Sequence, residues 1–241
     1  MPAYNEEESI AAAVAEVVTE CLDAVPGSEL VVVDDGSRDR TADIVLEIAA
    51  SEPRVTLVHK RNGGHGPALV EGIKRAQGGW LLLVDSDRQI PLDGFRSAWA
   101  SRAGKDAVLG RRARRVDSTV RRFVTTSLRT ILRVALGARL ADANAPFKLL
   151  RRPVWQDSRR FIADDCPIPS VFLAVCIQRH GWRYDTVAVG HRPRVGGTGS
   201  LLGWKLISFC SRATIQLLRL SVQLALIRSK PADVEALAEA W

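Results

Sequence analysis

Glu29-Leu30-Val31-Val32-Val33-Asp34-Asp35-Gly36-Ser37 is the stretch that decides the fold. Leu30 to Val33 are apolar and mostly β-branched, which is the composition of a buried strand. The run stops at two aspartates, a glycine and a serine, which belong to a turn. Working outward, Glu6 to about Val25 reads as a helix rich in Ala and Val, with Asn5 placed to cap it. Downstream come a helix from about Asp39 to Ala50 and a strand near Val55 to His59. A glycine-rich turn, a helix from about Gly66 to Ala76 and a strand from Trp80 to Val84 follow. Strands alternating with helices of about 10–15 residues imply βαβ units and a doubly wound, mostly parallel α/β sheet. Such sheets bind ligands beyond the carboxyl ends of their strands. Asp34-Asp35 and Asp85-Ser86-Asp87 both fall at such ends. A sheet of this kind normally has a strand just ahead of Pro2-Ala3-Tyr4-Asn5. Either the fold tolerates its loss or the natural chain starts further upstream.

Two carboxylates one residue apart on a tight turn can face one cation. Mg²⁺ and Mn²⁺ prefer oxygen ligands, and Mg²⁺ commonly takes one or two carboxylates together with substrate phosphates. Asp85 and Asp87 suit a divalent ion that neutralises a diphosphate, and the Gln89 amide oxygen can add a third ligand. The competing reading is a pair of turn-forming aspartates at a strand end. The glycine-rich segment Asn62-Gly63-Gly64-His65-Gly66 has neither the spacing of a P-loop nor that of a dinucleotide fingerprint. It suits close backbone approach to a ligand or a plain strand-to-helix turn. His59 and His65 read as incidental.

Bulk properties narrow the partners. The chain of 241 residues is long enough for one sizeable α/β domain, and its 46% apolar and 25% charged residues are a globular composition. A net charge of +7 favours an anionic partner, whether nucleic acid, a phosphorylated ligand or an anionic membrane surface. Cys21, Cys166, Cys176 and Cys210 are scattered, which argues against a zinc site or a disulfide framework and for buried thiols in a reducing compartment. Met1-Pro2-Ala3-Tyr4-Asn5 followed by three glutamates is not the pattern of a secretory leader. No uncharged apolar run approaches the ~20 residues of a spanning helix. The expectation is a protein that is soluble or lies on a membrane without crossing it.

Beyond Arg111 the character changes. Arg111, Arg112, Arg114, Arg115, Arg121, Arg122, Arg129 and Arg133 crowd a stretch whose only acid is Asp117. From about Ser118 to Leu136 the spacing is helical, with Arg122, Thr126, Arg129 and Arg133 on one face. A last helix, from about Leu201 to Ile227, carries a narrow polar stripe on an apolar cylinder. That pattern fits a helix lying in a membrane interface, or a helix packed on the sheet or on another subunit.

Four motifs arrive in a fixed order: Pro2-Ala3-Tyr4-Asn5-Glu6, Asp34-Asp35-Gly36-Ser37-Arg38-Asp39-Arg40-Thr41, Asn62 to Ala68, and Asp85-Ser86-Asp87-Arg88-Gln89. Together they closely resemble the nucleotide-sugar-binding half of family 2 glycosyltransferases. The resemblance covers residues 2 to about 200. It implies a nucleotide-diphospho-sugar transferase (GT-A-like) fold and inversion at the anomeric carbon. It also implies a donor site at Pro2, Ala3, Tyr4, Glu6, Asp35, Asp85 and Ser86, and Mg²⁺ or Mn²⁺ at Asp85, Asp87 and Gln89. Asp142-Ala143-Asn144-Ala145-Pro146-Phe147-Lys148 and His191 to Ser200 resemble elements of dolichyl- and polyprenyl-phosphate sugar transferases, although Pro146 replaces the commoner glycine. By that resemblance Arg112, Arg122, Thr126 and Arg194 touch the acceptor phosphate, and Asp87, Arg112, Arg122 and Arg194 are the catalytic set. Residues 1–200 form the catalytic domain, with the expected first strand missing. Residues 201–241 form an amphipathic helix and tail.

An acceptor that is already a phosphate monoester is a nucleophile at neutral pH and needs cations rather than a strong base. The expected reaction moves a hexose from a nucleotide sugar of the GDP-mannose or UDP-glucose type to a polyprenyl phosphate, at the cytoplasmic face of the membrane. A homo-oligomer or a membrane-protein partner fits the same picture. The alternative is transfer to a sugar hydroxyl of a lipid-linked or cell-envelope glycan, which requires a general base. Asp164 and Asp165 are the acids placed for it. Nucleic acid fares poorly as a partner, because the arginines lack interleaved aromatics and no nucleic-acid module is recognisable.

Overall fold

The computed structural model describes residues 1–112, 142–143, 145–192 and 213–223. A first sheet of three parallel strands has the order β1 (Pro2–Ala3), β2 (Leu30–Asp34), β3 (Val55–His59). A second sheet has the order β4 (Trp80–Leu83), β6 (Lys148–Arg151), β5 (Ala107–Arg112), β7 (Tyr184–Val189). The helices are α1 (Ile10–Val17), which continues as a π-helical turn over Val18–Leu22, then α2 (Thr41–Ser51) and α3 (His65–Arg75). They are followed by α4 (Phe95–Ser101), α5 (Arg152–Arg159) and α6 (Pro169–Arg179).

Strand periodicity explains the layering. Alternate residues point to opposite faces, so Val32 of β2 packs with Ile10, Val14 and Val17 of α1 and with Val45 of α2. Its neighbours Val31 and Val33 pack the other way, against Ala68 of α3. The second sheet repeats the pattern. Val108 and Leu149 face the α1/α2/α4 side, while Leu81, Leu83, Leu109 and Leu150 face α3, α5 and α6. Helices thus cover both faces, and α6 is buried continuously from Pro169 to Ile177. Each fully buried Val, Leu or Ile contributes roughly 1.5–3 kcal/mol of apolar transfer. A charge at Val32, which is 0% exposed, would break the α1–β2–α2 layer.

The first sheet is parallel as expected, but the second is mixed: β6 runs antiparallel to both β4 and β5, and β7 runs parallel to β5. The strand is expected just ahead of Pro2; instead Pro2 and Ala3 themselves form the two-residue strand β1, which pairs with Val33 and Asp34. The first helix also departs from expectation. It starts at Ile10, not Glu6, with Ser9 at the N-cap position. Asn5 sits in the left-handed region, φ 51°, and braces a neighbouring turn instead: its N–H donates to Ser37 Oγ, and its Oδ1 accepts from Arg38 N–H.

Between the sheets lies an apolar cavity of about 290 Å³, bounded by Leu30 and Val31 of β2 and by Trp80 to Leu83 of β4. Met1 lines it, and its amino group donates to Val31 O at 2.9 Å. Cys21, Cys166 and Cys176 are buried free thiols whose pKa values burial pushes up to about 12, 11 and 12. Such thiols are unreactive.

Residues 213–223 are helical. Leu217 and Leu220 enter the same core cluster as β4 and α6, while Ile215, Leu218 and Val222 are 50–60% exposed. This part of the last helix packs on the fold and leaves a second apolar face outward. No helix among the described residues is long and apolar enough to cross a membrane. The expected helix at 118–136 lies outside the described residues.

Candidate active site

The carboxyl ends of β1, β2 and β4 converge, and the loop after β3 joins them. Asp34 ends β2 and Asp35 follows it; they are 0% and 2% exposed. Buried carboxylates need partners, and both have them. Asp34 Oδ2 lies 2.7 Å from His59 Nδ1. Asp35 accepts from Lys60 Nζ at 2.7 Å, from Gly63 N–H at 2.9 Å and from Gly64 N–H at 2.7 Å. Gly64 holds φ 94°, a conformation open to glycine and strained for other residues, and so aims its amide at Asp35.

The rest of the first acidic element is a brace. Asp39 accepts from Thr41 N–H and Glu7 N–H. Desolvation opposes its ionisation, but the hydrogen bonds from Thr41 and Glu7 outweigh it and hold the Asp39 pKa down. Thr41 Oγ1 accepts from Glu6 N–H at 2.8 Å. The stretch from Tyr4 to Glu7 is thereby tied to the start of α2. Tyr4 stands 36% exposed while Pro2 and Ala3 are buried in β1. Glu6 is buried and accepts from Ser9 Oγ at 2.8 Å.

Asp85 follows β4 after Val84. Its Oδ1 lies 2.9 Å from His65 Nε2, at the first residue of α3. Desolvation disfavours both charges, yet each favours the other. The neighbouring imidazole lowers the Asp85 pKa, and the Asp85 and Asp87 carboxylates raise that of His65. Asp87 Oδ1 accepts from Gln89 N–H at 3.1 Å, and Ser86 is buried. Arg88 takes φ 54° and sends its guanidinium away to Glu16. The arginine of the turn is thereby drawn off from the two aspartates beside it. Gln89 O accepts from Arg192 N–H, which ties the turn to the residues after β7.

Two carboxylates with Gln89 behind them form a hard-oxygen set that suits Mg²⁺ or Mn²⁺ bound jointly with phosphates. Among the described residues no cluster of three or more His, Cys, Asp or Glu forms a complete cage. Such carboxylates would suit an ion that arrives with its ligand, with Asp85 and Asp87 the residues that would hold it.

Arg112, at the end of β5, is engaged by Asp142: Nε to Oδ2 is 2.7 Å and Nη2 to Oδ1 is 2.8 Å. Arg122, Thr126 and Arg194 lie outside the described residues. Asp164 is exposed and paired with Lys74 at 2.6 Å, and Lys74 and Arg159 hold its pKa down. Asp165 is exposed beside it.

Sequence reasoning read His59 and His65 as incidental, passed over Lys60, and named Lys148 only as part of a motif. Lys148 is 1% exposed, and its Nζ donates to Ala145 O and to Ser170 Oγ, the latter at 2.7 Å. The signal for His65 was its place directly after two glycines ahead of a helix. Its partner, 20 residues further on, is not visible in the sequence.

Helices on both faces of the sheet, with acidic turns gathered at strand ends, define the nucleotide-diphospho-sugar transferase type of fold. The chain belongs to Glycosyl transferase family 2, whose pattern matches residues 1–158. It is similar to the undecaprenyl-phosphate 4-deoxy-4-formamido-L-arabinose transferase of Pectobacterium atrosepticum, 29% identical over 212 residues, covering 86% of this chain and 63% of that protein. The protein of the same description from Photorhabdus laumondii is 27% identical with the same coverage. The chain thus spans 63% of the length of these curated relatives. In fold it is similar to glucosyl-3-phosphoglycerate synthase from Mycobacterium tuberculosis in complex with Mn²⁺, UDP-glucose and phosphoglyceric acid. The TM-score there is 0.63 at 20% identity, covering 92% of this chain and 78% of that one. Mannosyl-3-phosphoglycerate synthase from Rubrobacter xylanophilus gives TM-score 0.63 at 16% identity, covering 95% and 74%.

Proposed function

We propose that this chain is the catalytic part of an inverting glycosyltransferase that moves a sugar from a nucleotide diphosphosugar to a polyprenyl phosphate. The observation that carries the reading is the Asp85–Asp87 turn, one loop away from the buried Asp35, with its own arginine drawn off to Glu16. In this reading Pro2, Ala3, Tyr4, Glu6 and Asp35 border the nucleoside, and Asp85, Ser86 and Asp87 border the diphosphate, with Gln89 behind. Mg²⁺ or Mn²⁺, when bound, supplies positive charge that stabilises the departing diphosphate. The similarly folded synthase solved with Mn²⁺ and UDP-glucose supports that cofactor class.

A lipid phosphate oxygen forms a bond to the anomeric carbon as the bond from that carbon to the diphosphate oxygen breaks. The nucleoside diphosphate leaves with the electron pair. A phosphate nucleophile carries no proton that must be removed, so the site needs positioning and cations rather than a base. Arg112, Arg122, Thr126 and Arg194 are proposed for that phosphate, with Asp142 orienting the Arg112 fork.

The hydroxyl-acceptor alternative is less well supported, because Asp164 is tied to Lys74 and held ionised at low pKa, a poor proton acceptor. The names of the curated relatives, undecaprenyl-phosphate transferases, also favour a lipid phosphate. With such an acceptor the enzyme works at the cytoplasmic membrane face. The test is incubation with a panel of GDP- and UDP-sugars, Mn²⁺ and undecaprenyl phosphate, with the lipid product identified by mass spectrometry. Formation of a sugar-phosphate lipid supports the reading. Transfer only to glycan hydroxyls overturns it.

A further inference from the structure

One short segment touches both ends of the proposed donor site. Lys60 Nζ, Gly63 N–H and Gly64 N–H converge on the Asp35 carboxylate. Asn62 Nδ2 donates to Asp35 O at 2.9 Å. One residue past those glycines, His65 Nε2 meets Asp85 Oδ1 at 2.9 Å. The segment has little room to slide. A Cβ on Gly66 would lie 2.1 Å from Cys166 O and 2.7 Å from Pro167 C, so the start of α3 is pressed against the backbone of the 166–167 loop. A ring anchored there fixes the carboxylate it meets.

We infer that His65 is the positioning residue for Asp85, and that the segment 60–65 sets the spacing between the nucleoside end of the donor at Asp35 and the diphosphate end at Asp85. This rests on the proposed donor site. Asp35 is held by backbone amides and Lys60, whereas Asp85 has the His65 ring as its side-chain hydrogen-bond partner. Loss of the ring therefore leaves the nucleoside end intact and releases the diphosphate end. A carboxylate freed to rotate must be ordered again each time a diphosphate binds, and that ordering cost is subtracted from affinity.

The experiment is binding, not turnover. UDP and GDP, each with Mn²⁺, are titrated calorimetrically into the wild type, His65→Ala and His65→Gln. Uridine and guanosine are followed by ligand-observed NMR on the same proteins. Re-ordering one freed side chain on binding corresponds to about three- to tenfold in affinity. His65→Ala is expected to weaken the diphosphate–Mn²⁺ complex by about that factor and to leave nucleoside binding within about twofold. His65→Gln, whose amide nitrogen can reach the place of Nε2, is expected to recover most of the loss. Unchanged diphosphate affinity in His65→Ala, or an equal loss for the nucleoside, overturns the inference. A wild type that binds neither diphosphate overturns the donor reading itself, and the inference with it.

Discussion

Arg112 and Asp142 form a two-pronged ion pair, 2.7 and 2.8 Å long, with side chains only 11% and 4% exposed. The pair joins the end of β5 to the segment leading into β6. Removing one partner of a buried pair strips the other of its main charge compensation, at a cost of up to roughly 3–5 kcal/mol. Arg112→Ala is therefore expected to lower stability by about that much, read as a shift in the urea midpoint. Arg112→Lys, with one charged tip in place of a fork, is expected to fall between the two. An Arg112→Ala protein of unchanged stability would show that Asp142 does not depend on this arginine.

Lys148 supplies a pH test. Desolvation pulls its pKa from the ordinary 10.5 down to about 7, with the neighbouring Asp142 and Asp85 opposing the shift. Below about pH 7 the folded state carries the buried ammonium at full cost. Above it the folded protein releases the proton while the unfolded chain keeps it until near pH 10.5. The unfolded state then binds more protons, so stability rises with pH across that window. Urea melts of wild type and Lys148→Met at about pH 6.5 and 8.5 check this. The wild type should gain more on going to the higher pH, and parallel behaviour of the two proteins would contradict it.

The outward face of helix 213–223 predicts membrane contact. Ile215, Leu218 and Val222 are exposed along it with Arg219, and apolar area beside a cation favours an anionic bilayer surface. Leu218→Glu with Val222→Glu should cut co-sedimentation with phosphatidylglycerol vesicles several-fold and leave the melting temperature within a few degrees. Undiminished vesicle binding would place the contact elsewhere.

The cavity between the sheets makes another prediction. An apolar pentapeptide joined ahead of Met1 has β2 on one side and β4 on the other to pair with. The melting temperature should rise by several degrees, because filled apolar volume stabilises. A Gly/Ser extension of equal length is the control, and equal melting points for the two would contradict the fit.

Much of this was legible because the relevant signals are local. Leu30–Val33 and Trp80–Leu83 announce strands by composition, and the acids that follow them mark the strand ends proposed as the ligand side of the sheet. Asn5 misled because an Asn ahead of an alanine-rich stretch is a common cap signal, whereas here it takes a left-handed conformation to brace Ser37 and Arg38. The antiparallel β6 was not legible, since four residues beginning with a lysine carry little strand signal of their own. The partners of Arg112 and His65 lie 30 and 20 residues away in sequence, and a contact at that range is made by the fold rather than announced by spacing.

The central claim is that Asp85-Ser86-Asp87 receives the donor diphosphate, and ligand-dependent melting tests it most directly. Wild type and Asp87→Ala are heated with GDP- and UDP-sugars in Mn²⁺. At about 100 times its Kd a ligand adds roughly 2.7 kcal/mol to the folded state. With the matching sugar nucleotide the wild type should melt several degrees higher and Asp87→Ala should scarcely move. Equal stabilisation of the two proteins by that nucleotide, with the same dependence on Mn²⁺, would contradict the claim.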